Sequence, residues 1–310
     1  MTTYKAPPYA EALLKAARRD PKIVLVSQDM GSAGGFATEF PGRAFDVGIS
    51  EQNLVGVAAG LAHVGKNPFV LAMAPFITMR SFEQIRDDCA YNENAVKFLA
   101  LFTGLEAGAW GVTHHAQEDL ALMRTIPGMT VIAPADGLEA GRAVEVVASL
   151  DGPAYVRLAG FAADISPIDE LPADFTIGKA TTLREGVDCS LIATGSLVRT
   201  ALAASAALAV DGIEAGVINM HTVKPLDTDA VARAVSASGR IVTVEEHSIV
   251  GGLGAAVAET MAELGQGRLR RVGVPDVFCT EVEPYAELIA RYGLDAAGVG
   301  RAARELIAAG

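Results

Sequence analysis

Short runs of β-branched and apolar residues alternate along the chain with alanine-rich stretches whose apolar positions recur at helical spacing. In the first half the runs predict strands over residues 22–27, 68–73, 96–102, 129–134 and 154–158. Between them the spacing predicts helices over 8–19, 51–63, 79–91, 117–125 and 138–150. Pro7 and Pro8 suit a helix start, because a proline in the first turn gives up no intrahelical hydrogen bond. From 160 to 179 the periodicity fades and Pro167, Pro172 and several acidic residues intervene, which reads as a linker. The rhythm resumes with strands over 190–194, 214–219, 240–244 and 269–274 and helices over 197–210, 228–235, 254–264 and 294–308. This predicts an α/β protein of two domains, each a mainly parallel sheet with helices on both faces. The expected division is residues 1–162, a linker over 163–182, and residues 183–310.

Composition narrows the function classes. Hydrophobic residues make up 51% of the chain, enough to fill two cores and too many for a disordered segment. Thirty-seven acidic against 25 basic side chains give a net charge of −12, which argues against a nucleic-acid or anionic-membrane partner. The longest stretch free of Asp, Glu, Lys and Arg, residues 52–65, is too short to span a bilayer, and the N-terminal residues lack the apolar centre of a signal peptide. Cys89, Cys189 and Cys279 form no metal or redox spacing. A soluble, cytoplasmic protein is expected.

Four segments could carry chemistry. In FDVGISEQNLVGVAAG, residues 45–60, a short strand enters a turn, Ser50 can cap, and Glu51 opens a helix of small residues. Glu51 is either a carboxylate placed favourably at a helix N-terminus or the acid of a packed site, since Gly56, Ala58, Ala59 and Gly60 permit close approach. In PFITMRSFEQIR, residues 75–86, Phe76, Met79 and Phe82 recur every three residues and form either core or an apolar bed for a flat heteroaromatic ring. His114 and His115 stand together in GVTHHAQED, residues 111–119; adjacent histidines cannot share a face of an extended segment, so one of them faces a cleft. Acid–base work or hydroxyl recognition suits that cleft better than metal ligation, because no third ligand stands at helical spacing. Arg157 ends a predicted strand, where ligands of open α/β sheets gather, and could hold phosphate or a surface carboxylate. The glycine-rich VGGLGAAV, residues 250–257, lacks the last glycine of a dinucleotide loop and no Walker lysine follows it.

Taken as a set and in order, FDVGISEQN, PFITMRSFEQIR, GVTHHAQEDLALMRTIPGMTVIAPAD and VEEHSIVGGLGAAVAE resemble the transketolase family over nearly the whole chain. The resemblance is to the pyrimidine-binding and C-terminal domains; the family's first domain, marked by GDG and a downstream Asn, has no counterpart here. It implies the C-terminal subunit of a split transketolase, which transfers a two-carbon ketol unit from a ketose to an aldose with thiamine diphosphate. It implies also a separate N-terminal subunit that supplies the diphosphate and Mg²⁺ ligands, leaving none on this chain, and an α2β2 assembly. By the same resemblance Glu51 would hydrogen-bond N1′ of the aminopyrimidine, which favours the imino form able to remove the thiazolium C2 proton. Phe76, Met79 and Phe82 would stack on the pyrimidine, and Asp29 would lie near the cofactor. His114 would contact substrate, with His115 beside it, and Arg157 would bind the sugar phosphate.

Two departures bear on substrate. Trp110 stands where the family has an aspartate before its GPTH motif, and Phe102 replaces a histidine twelve residues before the motif's own histidine. Exchanging two hydroxyl partners for two aromatics predicts an atypical ketose: branched, modified or less hydroxylated. A 1-deoxyxylulose-5-phosphate-synthase-like condensation and the beta subunit of a 2-oxoacid dehydrogenase share the glutamate and the layout. A non-catalytic scaffold of the same fold is the reading from another class, against which Glu51, His114 and Arg157 together argue.

Overall fold

The computed structural model describes residues 6–30, 33–160 and 164–309. The first sheet is built from Ile23–Ser27 (β1), Ala44–Asp46 (β2), Asn67–Met73 (β3), Lys97–Leu101 (β4), Thr130–Ile132 (β5) and Ala154–Arg157 (β6), all parallel. The later strands are Thr181–Arg184 (β7), Cys189–Ala193 (β8), Ala215–Asn219 (β9), Thr222–Lys224 (β10), Arg240–Ser248 (β11) and Arg268–Val274 (β12). Five of these form the second sheet in the order β12-β11-β8-β9-β7, parallel except for β7. β10 leaves its own half of the chain and pairs antiparallel with β5, so the first sheet runs β10-β5-β6-β4-β3-β1-β2.

Period-two alternation explains why both faces of the first sheet are covered. Leu25, Phe69, Leu71, Leu99, Ile132 and Val156 point into one core, shared with the helices Pro8–Arg19 and Gly137–Val147. Val26, Val70, Phe98, Ala100, Val131 and Tyr155 point into the other, against Glu51–His63 and Asp119–Thr125. The second domain repeats the scheme, with Leu191, Val217 and Val242 on one face and Ile192, Ile218 and Ile241 on the other. Among the described residues from 164 to 180 there is no helix or strand. That segment lies tightly on both halves: Phe175 and Ile177 pack on the first domain's core, Ile168 and Leu171 on the second's.

Helices Pro8–Arg19, Glu51–His63 and Leu197–Val210 coincide with the sequence reading. The helix expected over 79–91 differs. It begins at Phe76 and runs as π-helical turns over Phe76–Arg80 and Ile85–Tyr91 around a short α-turn, Phe82–Gln84. The Thr78 hydroxyl donates to the Ala74 carbonyl and the Ser81 hydroxyl to Ile77, both at 2.7 Å. Such back-bonding competes for carbonyls the helix would use, and π-turns recur where a helix is shaped for a site. β11 extends past 244 to Ser248 because Glu245, Glu246 and His247, polar as they are, lie buried with partners. The helix Tyr285–Arg291 was not expected from the pattern.

Candidate active site

Every candidate of the first domain stands at or just past the carboxyl end of a parallel strand: Asp29 after β1, Glu51 after β2, Phe76 to Phe82 after β3, His114 and His115 after β4, Arg157 at the end of β6. That edge is where crossover connections open a crevice in an α/β sheet.

Glu51 is the first residue of its helix and is 1% exposed. Ser50, expected to cap this helix, does not: its hydroxyl donates to the Val47 carbonyl at 3.0 Å. Glu51 Oε2 accepts from Arg80 Nη1 at 2.5 Å, while Oε1 is buried with no hydrogen-bond partner. A carboxyl oxygen sealed from water without a hydrogen-bond partner is costly, so this atom calls for a partner that the described residues do not provide. Arg80, which the sequence reading passed over, holds Glu51 and also lies over the Phe76 ring, 4.7 Å from its centroid. The signal was its position four residues after Phe76 on the same helical face.

From Phe76 the ring contacts continue. His114 meets Phe76 edge-on at 5.2 Å between centroids and Trp110 edge-on at 5.3 Å; Trp110 in turn lies 5.0 Å from Phe102. His114 Nδ1 is 3.0 Å from the Thr113 hydroxyl, and the ring is half-buried. One continuous strip thus joins Glu51, Arg80, Phe76, His114, Trp110 and Phe102. Phe102 sits at φ 55°, a left-handed backbone that a bulky side chain adopts at a cost of about 1–3 kcal/mol. A cavity of about 340 Å³ opens beside it, lined by Phe102, Glu106, Ala107, Ala109 and Trp110.

The remaining candidates are placed otherwise. Met79 is on the surface, 42% exposed, and Phe82 is half-buried against the first domain's core, so Phe76 alone of the three-residue stripe has a ring contact with the strip. Asp29 is exposed at φ 46°, its N–H donating to the Asp46 carboxylate. His115 turns inward beside Cys279 and Glu281, and burial lowers its proton affinity, so it is neutral at pH 7.

Arg157 lies deeper than a phosphate-binding arginine was expected to lie. Its guanidinium is 4% exposed; Nε donates to Asp119 Oδ2 at 2.7 Å and Nη2 to the Glu246 carbonyl at 2.8 Å. Tyr155 donates its hydroxyl to the same Asp119 oxygen at 2.7 Å. The arginine is a buried tie between the two domains, its Nε and Nη2 already engaged by Asp119 and the Glu246 carbonyl. Asp119, the first residue of its helix, is the centre of that tie. Around it Glu246 accepts from the Leu105 N–H, Ser196 and Tyr285, and Glu245 accepts from the N–H groups of Leu253 and Gly254. Glu245 thereby occupies the N-terminus of the helix that follows the glycine-rich run, and a Cβ on Gly252 would collide with its carboxylate. Burial pushes the Glu245 carboxyl up to about 7. Among the described residues no group of three His, Cys, Asp or Glu is placed to hold a metal ion.

Comparison with known proteins agrees with this geometry. The pyrimidine-binding domain of transketolase matches residues 5–159 and the transketolase C-terminal domain matches residues 178–299. The chain is 41% identical over 303 residues to an apulose-4-phosphate transketolase subunit of Phocaeicola vulgatus, covering 96% of each. It is 42% identical over 301 residues to the 6-deoxy-6-sulfo-D-fructose transketolase subunit SqwH of a Clostridium species, covering 96% of this chain and 92% of that one. A 1-deoxy-D-xylulose-5-phosphate synthase of Geobacter sulfurreducens is 39% identical over 306 residues, but the chain spans only 48% of it. Among solved structures, a split gene transketolase described as an inactive beta4 tetramer superposes with a TM-score of 0.88 at 39% identity, covering 97% of both chains. The chain belongs to the transketolase family of transferases and corresponds, through its pyrimidine-binding and C-terminal domains, to the C-terminal subunit of split transketolases.

Proposed function

We propose that this chain is the C-terminal subunit of a thiamine-diphosphate-dependent transketolase that moves a two-carbon ketol unit from a ketose donor to an aldose acceptor. The observation that carries the reading is the sealed, unpartnered Oε1 of Glu51, joined through Arg80 and Phe76 to His114. That oxygen fits a protonated ring nitrogen, and the Phe76 face fits a flat heteroaromatic ring. When bound, the cofactor supplies a carbon nucleophile and an electron sink for the two-carbon unit. Glu51 holds the proton on the aminopyrimidine ring, Arg80 keeps the Glu51 carboxylate in place, and Phe76 supports the ring. His114 is placed to hydrogen-bond the substrate's reacting oxygen. Met79, Phe82 and Asp29 would bear on cofactor fit, with Glu51 and Phe76 making the principal contacts, and His115, buried near Cys279 and Glu281, would contact the substrate with His114.

Diphosphate and Mg²⁺ would be held by a separate N-terminal subunit. Ile49, Met79, Trp110 and Val112 leave apolar surface on this carboxyl edge, which that subunit would cover, and two copies of each chain would complete an α2β2 enzyme. The solved split transketolase described as inactive is an assembly of one chain type, which fits a requirement for the second. No helix among the described residues is long and apolar enough to cross a membrane, and the three cysteines are free and buried, in keeping with a cytoplasmic enzyme. Two relatives are named for unusual ketoses, apulose 4-phosphate and 6-deoxy-6-sulfo-D-fructose, which supports a non-standard ketose here.

The test is reconstitution with an N-terminal transketolase subunit, thiamine diphosphate and Mg²⁺. Transfer between ketose and aldose that needs all four components supports the reading. Carbon dioxide release from pyruvate with condensation onto glyceraldehyde 3-phosphate, and no ketose cleavage, would instead favour the synthase chemistry of the half-length relatives.

A further inference from the structure

Resting on the transketolase reading, we propose that the second domain takes part in ketol transfer through a strap, residues 279–283, that positions His114, and that Arg291 and Tyr292 are positioning residues holding the strap in place. His114 stands in the connection between β4 and the helix Asp119–Thr125, and the second domain seats that connection at successive points. Leu105 is buried in the second domain's core, and its N–H donates to Glu246 Oε1 at 2.7 Å. A Cβ on Gly108 would stand 2.5 Å from the Glu283 carbonyl oxygen and 2.8 Å from Leu288 Cδ1, and one on Gly111 would stand 3.3 Å from Val282 Cγ2. Both glycines therefore admit a close approach that a side chain would block. His115 turns inward beside Cys279 and Glu281. One short stretch of the second domain thus meets the histidine segment before Trp110, after Trp110 and behind His114.

Backbone bonds carry this placement to His114. The Gly111 N–H donates to the Gly108 carbonyl at 3.2 Å and the His114 N–H to the Gly111 carbonyl at 3.0 Å, so the turn against the strap is the one from which the imidazole projects. Gly111 is held at φ 75°, a left-handed backbone that sets the direction of the chain into His114. The strap is anchored in turn. Tyr292 donates its hydroxyl to Glu281 Oε2 at 2.9 Å, and Arg291 grips the Glu283 carboxylate with Nη2 and with Nε at 3.0 Å. Both anchors stand at the end of the helix Tyr285–Arg291, whose Leu288 and Ile289 are buried in the second domain's core. Glu51 and Phe76, which would serve the cofactor, belong to the first domain's own elements. The strap therefore governs the placing of His114 separately from the activation of the cofactor. A misplacement of about 1 Å in a group that contacts substrate can cost about 10²-fold in rate.

The test uses the enzyme reconstituted with its N-terminal subunit, thiamine diphosphate and Mg²⁺, with D-fructose 6-phosphate and L-erythrulose as ketose probes and D-glyceraldehyde 3-phosphate as acceptor. Arg291 is exposed and Tyr292 half-buried, so the double variant Arg291→Gln with Tyr292→Phe loosens the strap without emptying a core. It is expected to lower kcat about tenfold or more. Deuterium exchange at the thiazolium C2, which reports Glu51 and the cofactor, should stay at the parent rate. Arg291→Lys, which keeps a cation on Glu283, should retain more turnover than Arg291→Gln. In a His114→Ala background the double variant should lower kcat no further, because the strap acts through that residue. Gly108→Ala drives a Cβ into the Glu283 carbonyl and should reproduce the loss of kcat. Trp110, the only tryptophan of the chain, should report the displaced turn by a shift in its emission. Parent-level kcat in the double variant overturns the proposal, as does an equal fall of kcat and C2 exchange, or a further fall on top of His114→Ala; each leaves the transketolase reading intact. No transfer by the parent from any ketose overturns that reading, and this inference with it.

Discussion

Arg157 shows how a residue's place can be legible while its partner is not. Its position at the end of a parallel strand was legible; its partner was not, because Asp119 lies 38 positions earlier and reads locally as a helix-start charge. Sealing a guanidinium with a single carboxylate makes each indispensable to the other. Arg157→Met leaves the Asp119 charge buried and unpaired, and is expected to cost about 3–5 kcal/mol in urea unfolding. Unchanged stability with a raised KM for phosphorylated substrates would restore the phosphate-binding role. Glu51 was legible because its charge sits at the start of a helix of small residues. Arg80 was not: an arginine on an apolar stripe reads as solvent-facing until the Glu51 carboxylate is seen beside it.

At the level of elements, sequence periodicity reported those whose outward faces meet aliphatic cores and missed those shaped by buried polar groups. Helix Pro8–Arg19 carries a plain amphipathic pattern and was legible to the residue. The π-turns after Pro75 depend on hydroxyl-to-carbonyl bonds that hydropathy does not record. β10 has three residues and follows a histidine, so nothing in its pattern announces that it completes the other domain's sheet. That histidine, His221, stacks on Phe175 at 4.2 Å, its carbonyl accepts the Ala133 N–H at 2.8 Å, and burial pushes its pKa down to about 4. A base with a folded pKa below its unfolded value of about 6.5 contributes stability above pH 6.5 and loses it as pH falls toward 4. Urea midpoints at pH 7.5 and pH 5 should therefore fall more for the parent than for His221→Gln. Equal falls would show that the imidazole is not held neutral.

On the scale of the whole molecule, the two domains share one sheet edge through β10 and one buried polar knot around Arg157, and the candidate site opens on the surface those connections leave free. Exposed Ile49, Met79 and Trp110 there suggest a surface finished only in an assembly. The isolated chain is expected to show no ketol transfer at any cofactor concentration, and activity should rise to a plateau at equimolar N-terminal subunit; activity of the chain alone would remove the need for a partner. The central claim, that Glu51 switches on a bound thiamine coenzyme, is tested most directly by deuterium exchange at the thiazolium C2 in the reconstituted enzyme, followed by NMR after rapid quenching. The account predicts that Glu51→Gln slows this exchange by about 10²-fold or more while the assembly and cofactor occupancy persist. Exchange as fast in the variant as in the parent would contradict it.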